Sequence, residues 1–207
     1  MTTDDTPNPS WRERKKDRTR EKLSEIAQNL FLRQGYEETT LEQIAGEAKV
    51  TVRTVLRYFG SKSRLALVPQ YDRVDEFCAR LQAPDREIDT LSCWRQHVEK
   101  IAHSLTDARE VARHQKFVEN VPVLIVGLLE VRQTYEDALE AALARDAGVD
   151  PETDLHSRLL AAMLLAGNSS VIRQWIAGGK AENLRDVLLS VVDFAIENFP
   201  ARVTPKV

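Results

Sequence analysis

The stretch Thr39–Lys62, TTLEQIAGEAKVTVRTVLRYFGSK, constrains the fold more than any other part of the chain. It holds two short apolar-periodic segments joined by a tight turn. Leu41, Ile44, Ala45 and Ala48 recur at i, i+3, i+4 and i+7, which is one face of a helix. Thr40 stands where a cap is needed, and Gln43, three residues on, can return the bond as the second half of a capping box. The second segment opens at Thr51, a favoured N-cap residue. Val50 and Val55 flank it at the N′ and N4 spacing of a hydrophobic staple, and Val55 with Phe59 supplies a buried side. A short stapled helix set at an angle to a short capped one is a helix-turn-helix.

The side of the second helix left outward presents Val52, Arg53, Leu56 and Arg57, with Thr54 and Tyr58 at its margins. Such a helix fits the major groove, where arginine reads guanine bidentately and threonine touches a thymine methyl or a phosphate. Two arginines on an isolated surface helix would serve only solubility. Flanked by this unit, Arg53, Thr54 and Arg57 are read as base contacts.

Over about residues 18 to 68 the sequence resembles the TetR family of bacterial transcriptional regulators. The matching elements run in order: Leu30-Phe31, Gly35-Tyr36, Thr39-Thr40, Ile44-Ala45, Tyr58-Phe59 and Ser61-Lys62. Two positions depart from the family pattern. Lys49 occupies the turn where the family usually has glycine; a left-handed non-glycine there costs about 1–2 kcal/mol, and a phosphate contact by the lysine would offset it. Leu56 replaces an aromatic, usually tyrosine, so it cannot hydrogen-bond a phosphate. The DNA-contacting set expected is Thr40, Lys49, Thr51, Arg53, Thr54, Arg57, Tyr58 and Lys62, with Thr40, Lys49, Tyr58 and Lys62 on phosphates. For Lys62 the phosphate role is what the resemblance implies.

The formal net charge of −3 becomes informative when divided along the chain. Residues 10–65 carry 13 Lys+Arg against 8 Asp+Glu, a net of +5, and residues 66–207 carry 16 against 22, a net of −6. Basic character is confined to the end that holds the helix-turn-helix, as a footprint on phosphate requires. The basic run in residues 11–20 reads either as an arm following the duplex or as a solvated helix start. Cys78 and Cys93 have no metal or redox spacing. No run is long enough to span a bilayer, and the first twenty residues lack a secretory h-region, so a cytoplasmic protein is expected. Nucleotide-binding, metalloprotease and nucleophile-elbow motifs are missing, so neither an enzyme, a metal nor a cofactor is expected.

The periodicity predicts an all-α chain of about nine helices: a disordered tail at 1–10, a DNA-binding domain at 11–65, and a helical ligand-binding and dimerisation domain at 66–207. Helix 1 is expected from Thr19 to Gln34. A single fourth helix is expected from Ser61 to Leu81, serving as a lever between the two parts. Asp150-Pro151 reads as N-cap and N1 of a helix ending near Ala177, and the last helix as running from Glu182 to Phe199 before Pro200.

The last two helices are too apolar for surface helices. Leu159, Met163, Gly167, Val171, Leu188, Val191 and Ala195 are assigned to a homodimer interface, because one recognition helix reads too few base pairs and a two-fold pair presents two about 34 Å apart. The family resemblance implies the same four-helix interface and an inducer pocket in the preceding helices. Trp94, His97, Phe117, Leu128, Asn168 and Trp175 are the candidate lining for a small, largely apolar effector. The function expected is a ligand-released repressor on a palindromic double-stranded operator. The alternatives are a helical ligand- or partner-binding protein with a weakened DNA-binding domain, and an activator.

Overall fold

The computed structural model describes residues 11–178 and 184–199. The tail expected at 1–10, Glu182 as a helix start and Pro200 as a stop lie outside the described residues. Ten helices and no strand occur among the described residues. The chain divides into two compact units, Met1–Val68 and Pro69–Val207.

The first unit holds α1 (Trp11–Gln34), α2 (Leu41–Ala48), α3 (Val52–Phe59) and α4 (Lys62–Ala66). Leu23, Ala27, Leu30 and Phe31 of α1 form one buried stripe, closed by Ile44, Ala45, Val55, Phe59 and Leu65. Gly35 ends α1 at φ 91, a conformation that favours glycine, and its N–H donates to the Phe31 carbonyl at 3.0 Å. Thr39 is fully buried and donates its hydroxyl to the Gly35 carbonyl at 2.7 Å, which fixes the turn into α2. Helix α1 begins at Trp11 rather than Thr19, so the basic run is helical and not an extended arm.

The tenth helix arises where a single fourth helix was expected. The chain breaks at Leu67 (φ −105, ψ 18), and α5 (Val68–Gln82) starts anew. Pro69 has no N–H to give the Leu65 carbonyl. The Gln28 side chain supplies the missing donor instead, reaching the Leu65 and Ala66 carbonyls at 3.3 and 3.1 Å.

The second unit consists of α5 onward with α6 (Thr90–Ser104), α7 (Ala108–Glu119), α8 (Pro122–Ala147), α9 (Leu155–Gly178) and α10 (Leu184–Asn198). Its core joins Phe77 and Leu81, Trp94 and Val98, Leu139 and Leu143, Leu160 and Leu164, and Leu188 and Val192. Helix α9 starts later than the Asp150-Pro151 pair suggests. That pair forms a turn in which Asp150 accepts from the Thr153 and Asp154 N–H groups at 3.2 and 3.0 Å. The Asp154 carboxylate then caps the helix, accepting from the Ser157 N–H at 2.8 Å and the Ser157 hydroxyl at 2.6 Å. No described helix is long and apolar enough to cross a membrane.

Candidate nucleic-acid interface and ligand cavity

Local chemistry sets the recognition unit. Thr40 and Gln43 make the reciprocal capping box, at 3.2 Å from the Gln43 N–H to the Thr40 hydroxyl and 2.9 Å from the Thr40 N–H to the Gln43 side chain. Gln34 donates to the same Gln43 oxygen at 2.9 Å, tying α1 to the box. Lys49 sits left-handed at φ 58, ψ 45 and is the one non-glycine with positive φ among the described residues. The Val50 N–H reaches back to the Ala45 carbonyl at 2.9 Å, so this is a Schellman-type stop with lysine where glycine is usual. Lys22 donates to the Ala48 carbonyl at 3.2 Å and completes the cap.

On α3 the Thr51 hydroxyl accepts from the Thr54 N–H at 3.2 Å and lies 3.0 Å from the Thr54 hydroxyl. Val55 and Phe59 turn inward, while Arg53, Leu56 and Arg57 are exposed. The Arg57 guanidinium lies over the Tyr58 ring at 5.5 Å, which narrows its rotamer freedom without covering its donors. Lys62 is placed differently from the phosphate role expected for it. Its ammonium donates to the Tyr36 and Thr39 carbonyls at 2.8 and 3.0 Å and lies 4.1 Å from the centre of the Tyr36 ring. Two of its three donors therefore hold the α1–α2 turn, and one remains.

The basic run of α1 forms one flank of this surface. A depression of ≈ 330 Å³ is lined by Trp11, Lys15, Lys16 and Thr19 of α1 together with Thr54, Arg57 and Tyr58. The i, i+4 spacing of Trp11 and Lys15, whose ammonium lies 5.3 Å from the indole, was the available signal once the run is helical.

In the second unit Trp94, Leu128 and Asn168 line an apolar cavity of ≈ 250 Å³ with Ile101, Tyr135 and Ile172. Asn168 is a satisfied core amide: it accepts from the Trp94 indole at 3.1 Å and donates to the Leu188 carbonyl at 2.8 Å. His97 stands behind the wall, 2.9 Å from the Tyr135 hydroxyl. Burial, with the nearby Arg73 charge, lowers its pKa to about 4, so the imidazole is neutral at pH 7. Phe117 pairs with His114 on α7, and Trp175 is buried with its indole N–H unpaired; neither lines this cavity. A second cavity of ≈ 290 Å³ lies between the ends of α6, α8, α9 and α10. Its carboxylates are already committed, Asp89 to the Ser92 N–H and Asp146 to Arg86 and Thr90.

The expected dimer residues separate into two groups. Leu159 and Met163 are exposed, whereas Leu188 and Ala195 turn into the subunit's own core at 1% and 3% exposure and are corrected on that ground. Gly167 also serves the subunit itself. A Cβ there would lie 2.6 Å from a Val191 methyl, so the bare backbone lets α9 and α10 close. Val171 is likewise half-buried against the core. The outward apolar side is Leu155, Leu159 and Met163 of α9 with Val187 and Phe194 of α10. Val187 and Phe194 each sit one position before an expected residue.

A doubly capped helix-turn-helix with an exposed, arginine-bearing second helix, at the head of an all-helical chain, defines a DNA-binding transcriptional regulator. Residues 25–67 match the family of bacterial regulatory proteins, tetR family. The chain is 35% identical over 182 residues to the HTH-type transcriptional regulator TcmR of Streptomyces glaucescens, covering 84% of this chain and 80% of that protein. It therefore belongs to the TetR family. It is also 25% identical over 169 residues to the regulator TtgR of Pseudomonas putida, covering 76% and 80%. The fold is shared with SmeT of Stenotrophomonas maltophilia in its complex with triclosan, at a TM-score of 0.61 and 21% identity over 87% of this chain and 90% of that one.

Proposed function

We propose that this regulator is a homodimeric repressor that binds a palindromic operator and is released by a small, largely apolar effector. The observation that carries the reading is the outward side of α3. The Thr51 hydroxyl is turned to capping, with the Thr54 hydroxyl 3.0 Å from it, while the Arg53 and Arg57 side chains are left exposed. Arg53 and Arg57 contact base edges with Thr54 at their margin, and Thr40, Lys49 and Tyr58 hold phosphates. Lys62 contributes its remaining N–H while bracing the turn. Lys15 and Lys16 extend the phosphate contacts from α1. The exposed apolar side of α9 and α10 supports the two-fold pairing that brings two recognition helices to one duplex face.

The aromatic cavity supports effector binding, which is coupled to operator affinity by about 1–3 kcal/mol. SmeT, a repressor of a multidrug efflux pump known in complex with triclosan, supports the same combination of repression and ligand. The test is a mobility-shift titration on the DNA flanking this protein's own gene at several salt concentrations. The expected result is a single dimer-sized complex on an inverted repeat, with a steep salt dependence. Equal, weak binding to any duplex would sink the repressor reading.

A further inference from the structure

The depression between α1 and α3 has a cation laid against an aromatic ring on each wall. On the α1 side the Lys15 ammonium lies 5.3 Å from the centre of the Trp11 ring. On the α3 side the Arg57 guanidinium lies 5.5 Å from that of Tyr58. The charged residues of the lining, Lys15, Lys16 and Arg57, are all cations. Lys15 and Lys16 are exposed and make no hydrogen bond or ion pair among the described residues. Like charges gathered without a carboxylate repel one another until an anion arrives.

Trp11 is the side chain that this basic lining does not explain. It is 65% exposed, the highest value among the exposed large apolar residues described. It stands about three turns before Leu23, where the buried stripe of α1 begins, so the subunit's own core is out of its reach. Trp11, Lys15 and Thr19 recur at i, i+4 and i+8, and all three line the depression opposite Thr54, Arg57 and Tyr58. A lone exposed tryptophan needs no explanation. An indole held by its own lysine in a cationic groove beside the recognition helix has a ligand that fits it. The backbone of a nucleic acid offers the same pairing, an anionic phosphate next to an apolar sugar.

We propose that Trp11 is a DNA-contacting residue, packing its indole against the deoxyribose beside a phosphate held by Lys15, Lys16 and Tyr58. The inference rests on the reading that the α1 lysines meet phosphate, and it adds an apolar contact to that electrostatic one. The two are separable, because phosphate contacts release counterions and are weakened by salt, whereas apolar burial releases none.

The full-length protein with a random-sequence duplex at low salt tests this. The chain has three tryptophans, and Trp94 and Trp175 are 3% and 5% exposed, so acrylamide quenching of fluorescence reports chiefly on Trp11. The duplex should shield that indole. Trp11→Ala should bind the duplex about tenfold more weakly at every salt concentration, with the salt slope and the melting temperature unchanged. Trp11→Phe should keep more affinity than Trp11→Ala. Lys15→Met should instead reduce the salt slope by about 1. Binding by wild type that leaves Trp11 equally quenchable, or a Trp11→Ala protein of undiminished affinity, would overturn the contact and leave the phosphate contacts standing. A salt slope that falls in Trp11→Ala would make the indole a support for Lys15 alone, and a lowered melting temperature would make it part of the subunit's own packing. Either result would overturn the proposal. A wild type that binds no duplex would overturn both the contact and the phosphate reading beneath it.

Discussion

At the residue scale, two side chains of the recognition unit carry opposite kinds of information. Arg57 is exposed, with its guanidinium beside the Tyr58 ring and its donors directed at nothing within the described residues. Arg57→Ala should weaken operator binding by about 1–3 kcal/mol and relax specificity at one base pair. A mobility-shift series over single-base operator variants measures both effects, and unchanged affinity and preference would remove Arg57 from the base-reading set. Lys49 is instead strained. Its left-handed backbone serves the α2–α3 turn that any TetR-type unit needs, yet glycine would serve the turn with less strain. Lys49→Gly should therefore raise unfolding stability by up to about 1 kcal/mol, while lowering DNA affinity and reducing the salt slope by about 1. Urea unfolding and salt-titrated binding on the same variant separate the two effects. A gain in stability with no loss of binding would mean that the lysine holds no phosphate. The left-handed turn was legible from its place in the sequence. The engagement of Lys62 with the Tyr36 and Thr39 carbonyls was not, because those acceptors are brought near only by the folded α1–α2 turn.

At the element scale, helices were readable where caps and period are local, and misread where a distant side chain decides. The capping box at Thr40 and the cap at Thr51 involve partners three residues away, so sequence spacing suffices. The break between α4 and α5 turns on Gln28, far back in α1, satisfying the carbonyls that Pro69 strands. Proline in a first helical turn is ordinary, so the sequence alone permits one long helix here. Gln28→Ala leaves two buried-side carbonyls without that donor and should destabilise the DNA-binding unit by about 1–3 kcal/mol. Thermal melts of the full-length chain measure this, and an unchanged midpoint would mean that solvent satisfies the break equally well. The start of α9 has the same lesson at shorter range. Asp150-Pro151 and Asp154 both satisfy cap rules, and the carboxylate three residues before Ser157 prevails. Facing is harder still on α10, whose apolar residues surround it: the period fits Leu188 and Ala195 as well as Val187 and Phe194, and only packing against α6 and α9 shows which pair is inside.

At the scale of the whole molecule, stability and assembly are the measurable consequences. His97 is a neutral imidazole enclosed by Phe77, Trp94 and Tyr135. Its folded pKa of about 4 lies below the ordinary 6.5, so between those values the unfolded chain takes up a proton that the folded one refuses. Stability should be level above pH 6.5 and fall as pH drops toward 4, by about 3 kcal/mol from this group. His114 is shifted in the same direction. In chemical unfolding at pH 7 and pH 4.5, His97→Gln should show a smaller difference than wild type, and an equal difference would acquit this histidine. Assembly follows from the outward side of α9 and α10, where Leu159 and Phe194 are 53% and 57% exposed in the single chain. Residues this apolar on neighbouring helices are not explained by the subunit's own core, whereas a two-fold mate would bury them. Phe194→Asp places a charge at that position, and sedimentation equilibrium should then find monomers. Operator affinity should fall on the order of 10²-fold, because each half-site must be found separately. Leu32→Asp, at an equally exposed leucine of α1, should leave both properties unchanged and so controls for added charge. A Phe194→Asp protein that remains dimeric would move the interface to another surface.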